Sequence, residues 1–188
     1  MSRYPEVFTM EECSEDEDEL WNGLKEALEG AFSQFVEMRT KEGERLKEDI
    51  LLKLDLLSEQ IRFIEERSPQ IIAEYRTKLE EKMRELLEDT QIDDNRIAAE
   101  VILFADKICT DEEVVRLKSH IQHMKETLEE SNGIGRKLDF IAQEMNREAN
   151  TILSKANDLD ISNRAISLKT EIEKIRDCLL YTSPSPRD

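Results

Sequence analysis

Gly135 to Lys155, GRKLDFIAQEMNREANTILSK, is the stretch that decides the fold. At ~100° per residue, Leu138, Ile141, Met145, Ala149 and Ile152 fall on one stripe, the pattern of a helix that buries one face. Arg136, Asp139, Gln143, Arg147, Asn150 and Ser154 fall opposite, with Glu144, Glu148 and Lys155 in a row between the two. A face that only meets water is usually made of Lys and Glu. This one carries Arg, Asp, Gln and Asn, whose hydrogen bonds are directional, so it reads as a site or a polar interface.

The same period runs outward in both directions. Upstream, Thr110-Asp111-Glu112-Glu113 has the form of a capping box, in which the Thr110 hydroxyl and the Glu113 carboxylate satisfy each other's backbone amides. The helix it opens turns Val114, Leu117, Ile121, Met124 and Leu128 inward and stops near Asn132-Gly133. Ala98, Val101, Ile102, Ala105 and Ile108 make a shorter, strongly apolar helix, the best candidate for a buried one. Earlier still, Leu20, Leu24, Leu28, Phe32, Phe35 and Met38 hold a helical period, and Ile50, Leu54, Leu57, Ile61 and Ile64 repeat at coiled-coil-like spacing. Ser68-Pro69 has the form of an N-cap followed by proline at the first helical position. It predicts that one helix ends near Arg67 and the next returns as an antiparallel hairpin. Gln91 to Asn95 is a further break, Asp158-Leu159-Asp160 is a turn, and a last helix runs through Ile166, Leu168, Ile172 and Ile175.

Composition agrees with an all-α fold, an elongated helical bundle with a long helical hairpin. Of 188 residues 38% are hydrophobic and 38% charged, with five Gly and four Pro. The predicted organisation is a lead-in at 1–13, the long hairpin and following helix at 14–109, a polar-faced helical region at 110–177, and a tail at 178–188. Three scattered cysteines, without CxxC or a Cys/His cluster at zinc spacing, suit a reducing compartment. No apolar run approaches the ~18 residues of a membrane span. P-loop, dinucleotide and nucleophile-elbow patterns are absent. The net charge of −17 opposes a simple nucleic-acid-binding surface, unless basic groups are concentrated locally or supplied by another domain or subunit.

The polar helix also carries a resemblance. GR, LDF, QE, NRE, NT and SK within Gly135 to Lys155 are similar to the C-terminal signature of the YicC (YloC) family of bacterial proteins. Asp111 to His120, DEEVVRLKSH, resembles that family's EE-x-x-RL-x-x-H, and Phe35 to Gly43, FVEMRTKEG, and Ile172 to Arg176 agree in the same register. The resemblance implies a metal-dependent endoribonuclease of the cytoplasm that assembles as a hexamer and hydrolyses RNA phosphodiesters. It further implies a mixed α/β N-terminal domain to which nothing here corresponds, so that Met1 is not the natural start and the activity of this chain alone is in doubt. The tail from Cys178 to Asp188 departs from the helical pattern, resembles translated adapter sequence, and is expected to be non-native and without function.

Candidate site residues follow from both lines. Glu113, Arg116 and His120, at spacings of three and four, project from one row. His120 suits proton transfer, because imidazole is the side chain that changes charge nearest neutrality, with Glu113 and Glu144 as further catalytic candidates. Asp139, Glu144 and Glu148 are carboxylates of the kind that hold Mg²⁺ or Mn²⁺. Arg116, Arg136, Arg147, Asn150 and Lys155 are candidates for RNA phosphate contacts. The His120-x-x-His123 pair lacks an accompanying motif and reads as incidental. The competing possibility is a non-catalytic helical scaffold, in which the same polar groups lock subunits of a homo-oligomer together.

Overall fold

The computed structural model describes residues 17–87, 94–130 and 133–182. The lead-in at 1–13, Gln91 to Asp93, Asn132 and the end of the tail at 183–188 lie outside the described residues. Five helices follow in order, and no strand occurs among the described residues: α1 Glu17–Leu87, α2 Asp94–Ile108, α3 Asp111–Thr127, α4 Gly135–Lys155 and α5 Leu159–Thr182. The chain divides after Arg45 into two compact units, with the boundary inside α1.

In the first unit, α1 displays Leu20, Trp21, Leu24, Leu28, Phe32, Phe35 and Met38, all exposed. Its periodic stripe is therefore an uncovered face. Local pairs such as Lys41 with Glu37 and the Thr40 hydroxyl donating to the Val36 carbonyl, 2.9 Å, ride on the same helix.

The second unit has the core. Ile50, Leu54, Leu57, Ile61 and Ile64 of α1 are fully buried, as their spacing predicts for a packing surface, and they meet buried residues of α3, α4 and α5. Cross-helix pairs give the directions. Lys47 to Glu129, Lys125 to Asp55 and Lys118 to Glu65 step along α1 and α3 in opposite senses. Arg67 to Asp158 and Arg164 to Gln60 do the same for α1 and α5. The C-terminal half of α1 thus joins α3, α4 and α5 in an antiparallel four-helix arrangement.

The break expected at Ser68-Pro69 is not there: α1 passes through it, with Pro69 inside the helix. The apolar stripe continues across the site from Ile61 and Ile64 to Ile71, so burial favours one continuous run, and Pro69 sits on the exposed side. Ser68 caps nothing; its hydroxyl donates to the Ile64 carbonyl at 2.8 Å. Proline has no N–H for the preceding turn. Arg67 braces that weak point, its guanidinium donating to Glu74 seven residues on and to Asp158 at 3.0 Å. Asp158 also accepts the Asp160 and Ile161 amides, at 3.0 and 3.1 Å, and so caps α5. The hairpins of this fold are α3–α4 and α4–α5. Gly133, at φ 57°, supplies the left-handed turn between α3 and α4.

Two further expectations change. Helix α2 is mostly exposed: Ile97 is buried, but Ile102 and Leu103 face outward, because contact is made along one side only, where Phe104 stacks on Tyr75 at 3.8 Å. The start of the tail belongs to the fold. Helix α5 runs on to Thr182 and Leu179 is buried, since its position extends the Leu168, Ile172, Ile175 stripe by one turn.

The core assignment predicts unequal costs for similar truncations. Leu57→Ala, at a fully buried position, is expected to lower stability by about 2–5 kcal/mol in urea denaturation. Leu28→Ala, on the uncovered stripe, is expected to change it by under about 1 kcal/mol.

Candidate functional site

Two ion pairs and a shared cleft mark how α3 lies against α4. Glu113 meets Lys155, Arg116 meets Glu148, and His120 shares a cleft with Glu144. Each step of three or four residues along α3 is matched by a backward step along α4, so the polar rows of the two helices are brought face to face. Beneath them, Leu117, Ile121 and Met124 pack with Leu138, Ile141 and Met145 in the core.

The cleft has a volume of about 340 Å³ and is lined by Arg116, Ser119, His120, Glu144, Arg147 and Glu148. Glu148 is 5% exposed, and its carboxylate lies 3.6 Å from the Arg116 guanidinium. Arg116 also donates to Glu112 in the turn before it. The charge of Glu112 first, and then that of Glu148, holds Arg116 above its ordinary pKa. Glu144 is half-buried, 4.0 Å from Arg147, whose side chain is largely free to reach outward. An imidazole, two guanidiniums and two carboxylates therefore converge from positions about thirty residues apart. Chemically, that set can hold a phosphate and move a proton beside it.

Other predicted residues lie elsewhere. Glu113 is buried and pairs with Lys155, whose Nζ donates to its carboxylate at 2.9 Å and to the Cys109 carbonyl at 3.0 Å. Each charge is met by the other, one turn beyond the cleft. The expected capping box does not form, because the Glu113 side chain reaches across to α4 and the Thr110 hydroxyl caps no amide. Asp139 accepts from Gln143 at 2.8 Å and from Arg176 at 3.3 Å, which ties it to α5. Arg136 and Asn150 are exposed on α4 and do not line the cleft. Ser119 was not singled out from sequence, and helical spacing beside His120 was the available signal.

The three carboxylates expected to hold a divalent ion, Asp139, Glu144 and Glu148, are not gathered into one group. Among the described residues, no three His, Cys, Asp or Glu side chains are grouped closely enough to hold a metal. Asp139 and Glu148 are nine residues apart on one helix, a rise of about 13.5 Å. Glu148 is already engaged by Arg116. The trio Asp139, Glu144 and Glu148 does not fit one ion.

Residues 64–180 match the family model described as endoribonuclease YicC-like, C-terminal. The chain belongs to the YicC-like endoribonuclease family. Residues 1–48 match the model for the YicC-like N-terminal region, which overturns the expectation that nothing here corresponds to that part of the family. The family's C-terminal match also extends past Cys178, in agreement with the continuation of α5. Over 178 residues the chain is 47% identical to a Clostridioides difficile protein named "Probable endoribonuclease YicC", covering 94% of this chain and 61% of that one. A Haemophilus influenzae protein of the same name is 34% identical over 177 residues, covering 93% and 60%. The chain spans about three-fifths of the length of these curated relatives.

The Glu113–Lys155 pair predicts a pH dependence. Burial pushes the Glu113 carboxyl up, but the Lys155 hydrogen bond, its own amide and the nearby charges outweigh this and hold it below its ordinary value. The Glu113 hydrogen bond raises Lys155. A depressed carboxyl contributes stability above its unfolded pKa of about 4.3 and loses it as pH falls through the folded value. A raised lysine contributes fully below its unfolded pKa of about 10.4 and loses that as pH rises through the folded value. Glu113→Gln is expected to cost about 1–2 kcal/mol at neutral pH, discounted for the half-exposed lysine, and to flatten the acid limb of the urea-denaturation profile.

Proposed function

We propose that this chain forms the RNA-cleaving helical part of an endoribonuclease, acting at the cleft between α3 and α4. The observation that carries this is the convergence of His120, Arg116, Arg147 and Glu144 in one cleft, within a family whose members are named for endoribonuclease activity. Arg116, oriented by Glu148, and Arg147 hold the non-bridging oxygens of a phosphodiester through planar, multiple hydrogen bonds. His120 transfers the proton at the scissile phosphate, with Glu144 as the second acid–base group of the same cleft. Glu113 and Lys155 act at a distance, by fixing the register of the two helices.

RNA is the substrate in this proposal. A homo-oligomer, a hexamer by family resemblance and working in the cytoplasm, is also proposed; the uncovered Leu20 to Met38 stripe and the outward Ile102 and Leu103 are surfaces suited to self-association. No described helix is long and apolar enough to cross a membrane. Mg²⁺ or Mn²⁺, the ion expected from the resemblance, is given no step, because its donor set is not gathered.

Cleavage of a labelled RNA by the full chain is the test. His120→Ala is expected to lower the rate by about 10²–10⁴-fold, and Glu144→Gln to lower it by at least about 10-fold, with the thermal melt unchanged. Unchanged cutting by both variants would make the cleft a scaffold feature. Chelation checks the ion separately: lost cutting that Mg²⁺ or Mn²⁺ restores is the expected outcome if ligands beyond these carboxylates complete a site.

A further inference from the structure

Phe140 is out of place by the logic of the core. It is 63% exposed, on a helix that buries Leu138, Ile141, Ala142 and Met145 on its other side. Its neighbours on the exposed face are Arg136, Gln143 and Arg147. Among the described residues of α3 and α4, it is the one Phe, Tyr or Trp, and it is exposed.

Its position is set by helix geometry. Phe140 is four residues before Glu144 and seven before Arg147, so the three stand in one row along α4. The Arg116–Glu148 pair, and the cleft that His120 shares with Glu144, show that each turn back along α4 is a turn forward along α3. The next turn past the cleft, toward the α3–α4 hairpin, presents Phe140 on α4. An aromatic face thus stands about one helical turn, ~6 Å of rise, from Glu144 and about two turns, ~10.5 Å, from Arg147, which would grip the phosphate.

Resting on the cleft proposed above as the site of RNA cleavage, we infer that Phe140 stacks a nucleobase next to the scissile phosphate and thereby selects single-stranded RNA. The charge balance of the cleft supports a role for stacking. Its two arginines are offset by two glutamates, and the whole chain carries −17, so phosphate electrostatics supply little net affinity. Stacking on an aromatic ring needs no positive charge and is available from every base. Only an unpaired, unstacked base can turn its face to a side chain, so a duplex of the same sequence is refused at this position.

The experiment uses the full chain carrying F140W in a W21F background, which removes the one native tryptophan. Fluorescence is followed on titration with a short single-stranded RNA and with the same sequence as a blunt duplex. Quenching by the single strand and not by the duplex is expected. F140A in the native background is expected to weaken single-strand binding about 5- to 100-fold, leaving the thermal melt, the duplex affinity and the salt dependence unchanged. The inference is overturned if F140A binds single strands as the native chain does, if strand and duplex quench equally, or if F140A instead alters sedimentation, which would make Phe140 a contact between copies. Two combinations separate this inference from the cleavage proposal. RNA cutting that is indifferent to F140A removes the stacking role alone, whereas strand-specific quenching without cutting by any form removes the cleavage role alone.

Discussion

The register of α3 against α4 is the constraint on which the cleft depends. Leu117 and Met145 are both fully buried, and the Glu113–Lys155 pair closes one end of the seam. A slip by one residue would rotate the polar row of either helix by ~100° and send Arg116 and His120 away from Glu144 and Glu148. Apolar packing supplies most of the energy of that seam, and the ion pairs choose among registers that packing alone would tolerate. Glu148 shows the two working together: it is buried like a core residue, yet it carries a charge whose partner, Arg116, comes from the neighbouring helix.

Charge is managed locally in a chain that is strongly acidic overall. The carboxylates near the candidate site are engaged one by one, Glu112 and Glu148 by Arg116, Glu144 by Arg147, Glu113 by Lys155 and Asp139 by Arg176. Neutralised in this way, the cleft can present guanidiniums to an anion despite the global balance.

Helix α1 shows how burial overrides a local stop signal. Proline in a helix interior costs about 3 kcal/mol or more in isolation. Here the cost is offset where Ile61, Ile64 and Ile71 stay buried across the position. Arg67 spans the gap to Glu74 and joins it to Asp158, the residue that caps α5. The brace links the weakest turn of one helix to the start of another.

Much of this was legible in the residues themselves. The five apolar residues of Gly135–Lys155 identified a helix and its buried face, and all five are buried; the α1 repeat from Ile50 to Ile64 did the same. Periodicity works there because it depends only on the angle between successive side chains. It could not show that Ser68-Pro69 would be traversed, that Ile102 would face outward, or that Leu179 would close the core, since each depends on what the neighbouring helices offer to bury. For the candidate site, spacing correctly put Glu113, Arg116 and His120 in one row, but the partner of each lies about thirty to forty residues away in sequence. The sequence by itself determined which face of each helix is apolar and which is polar, because that is a property of one chain segment. Only the tertiary structure decided that His120 and Arg116 share a cleft with Glu144 while Asp139 turns to Arg176, because such choices arise from the register and direction in which separate helices pack.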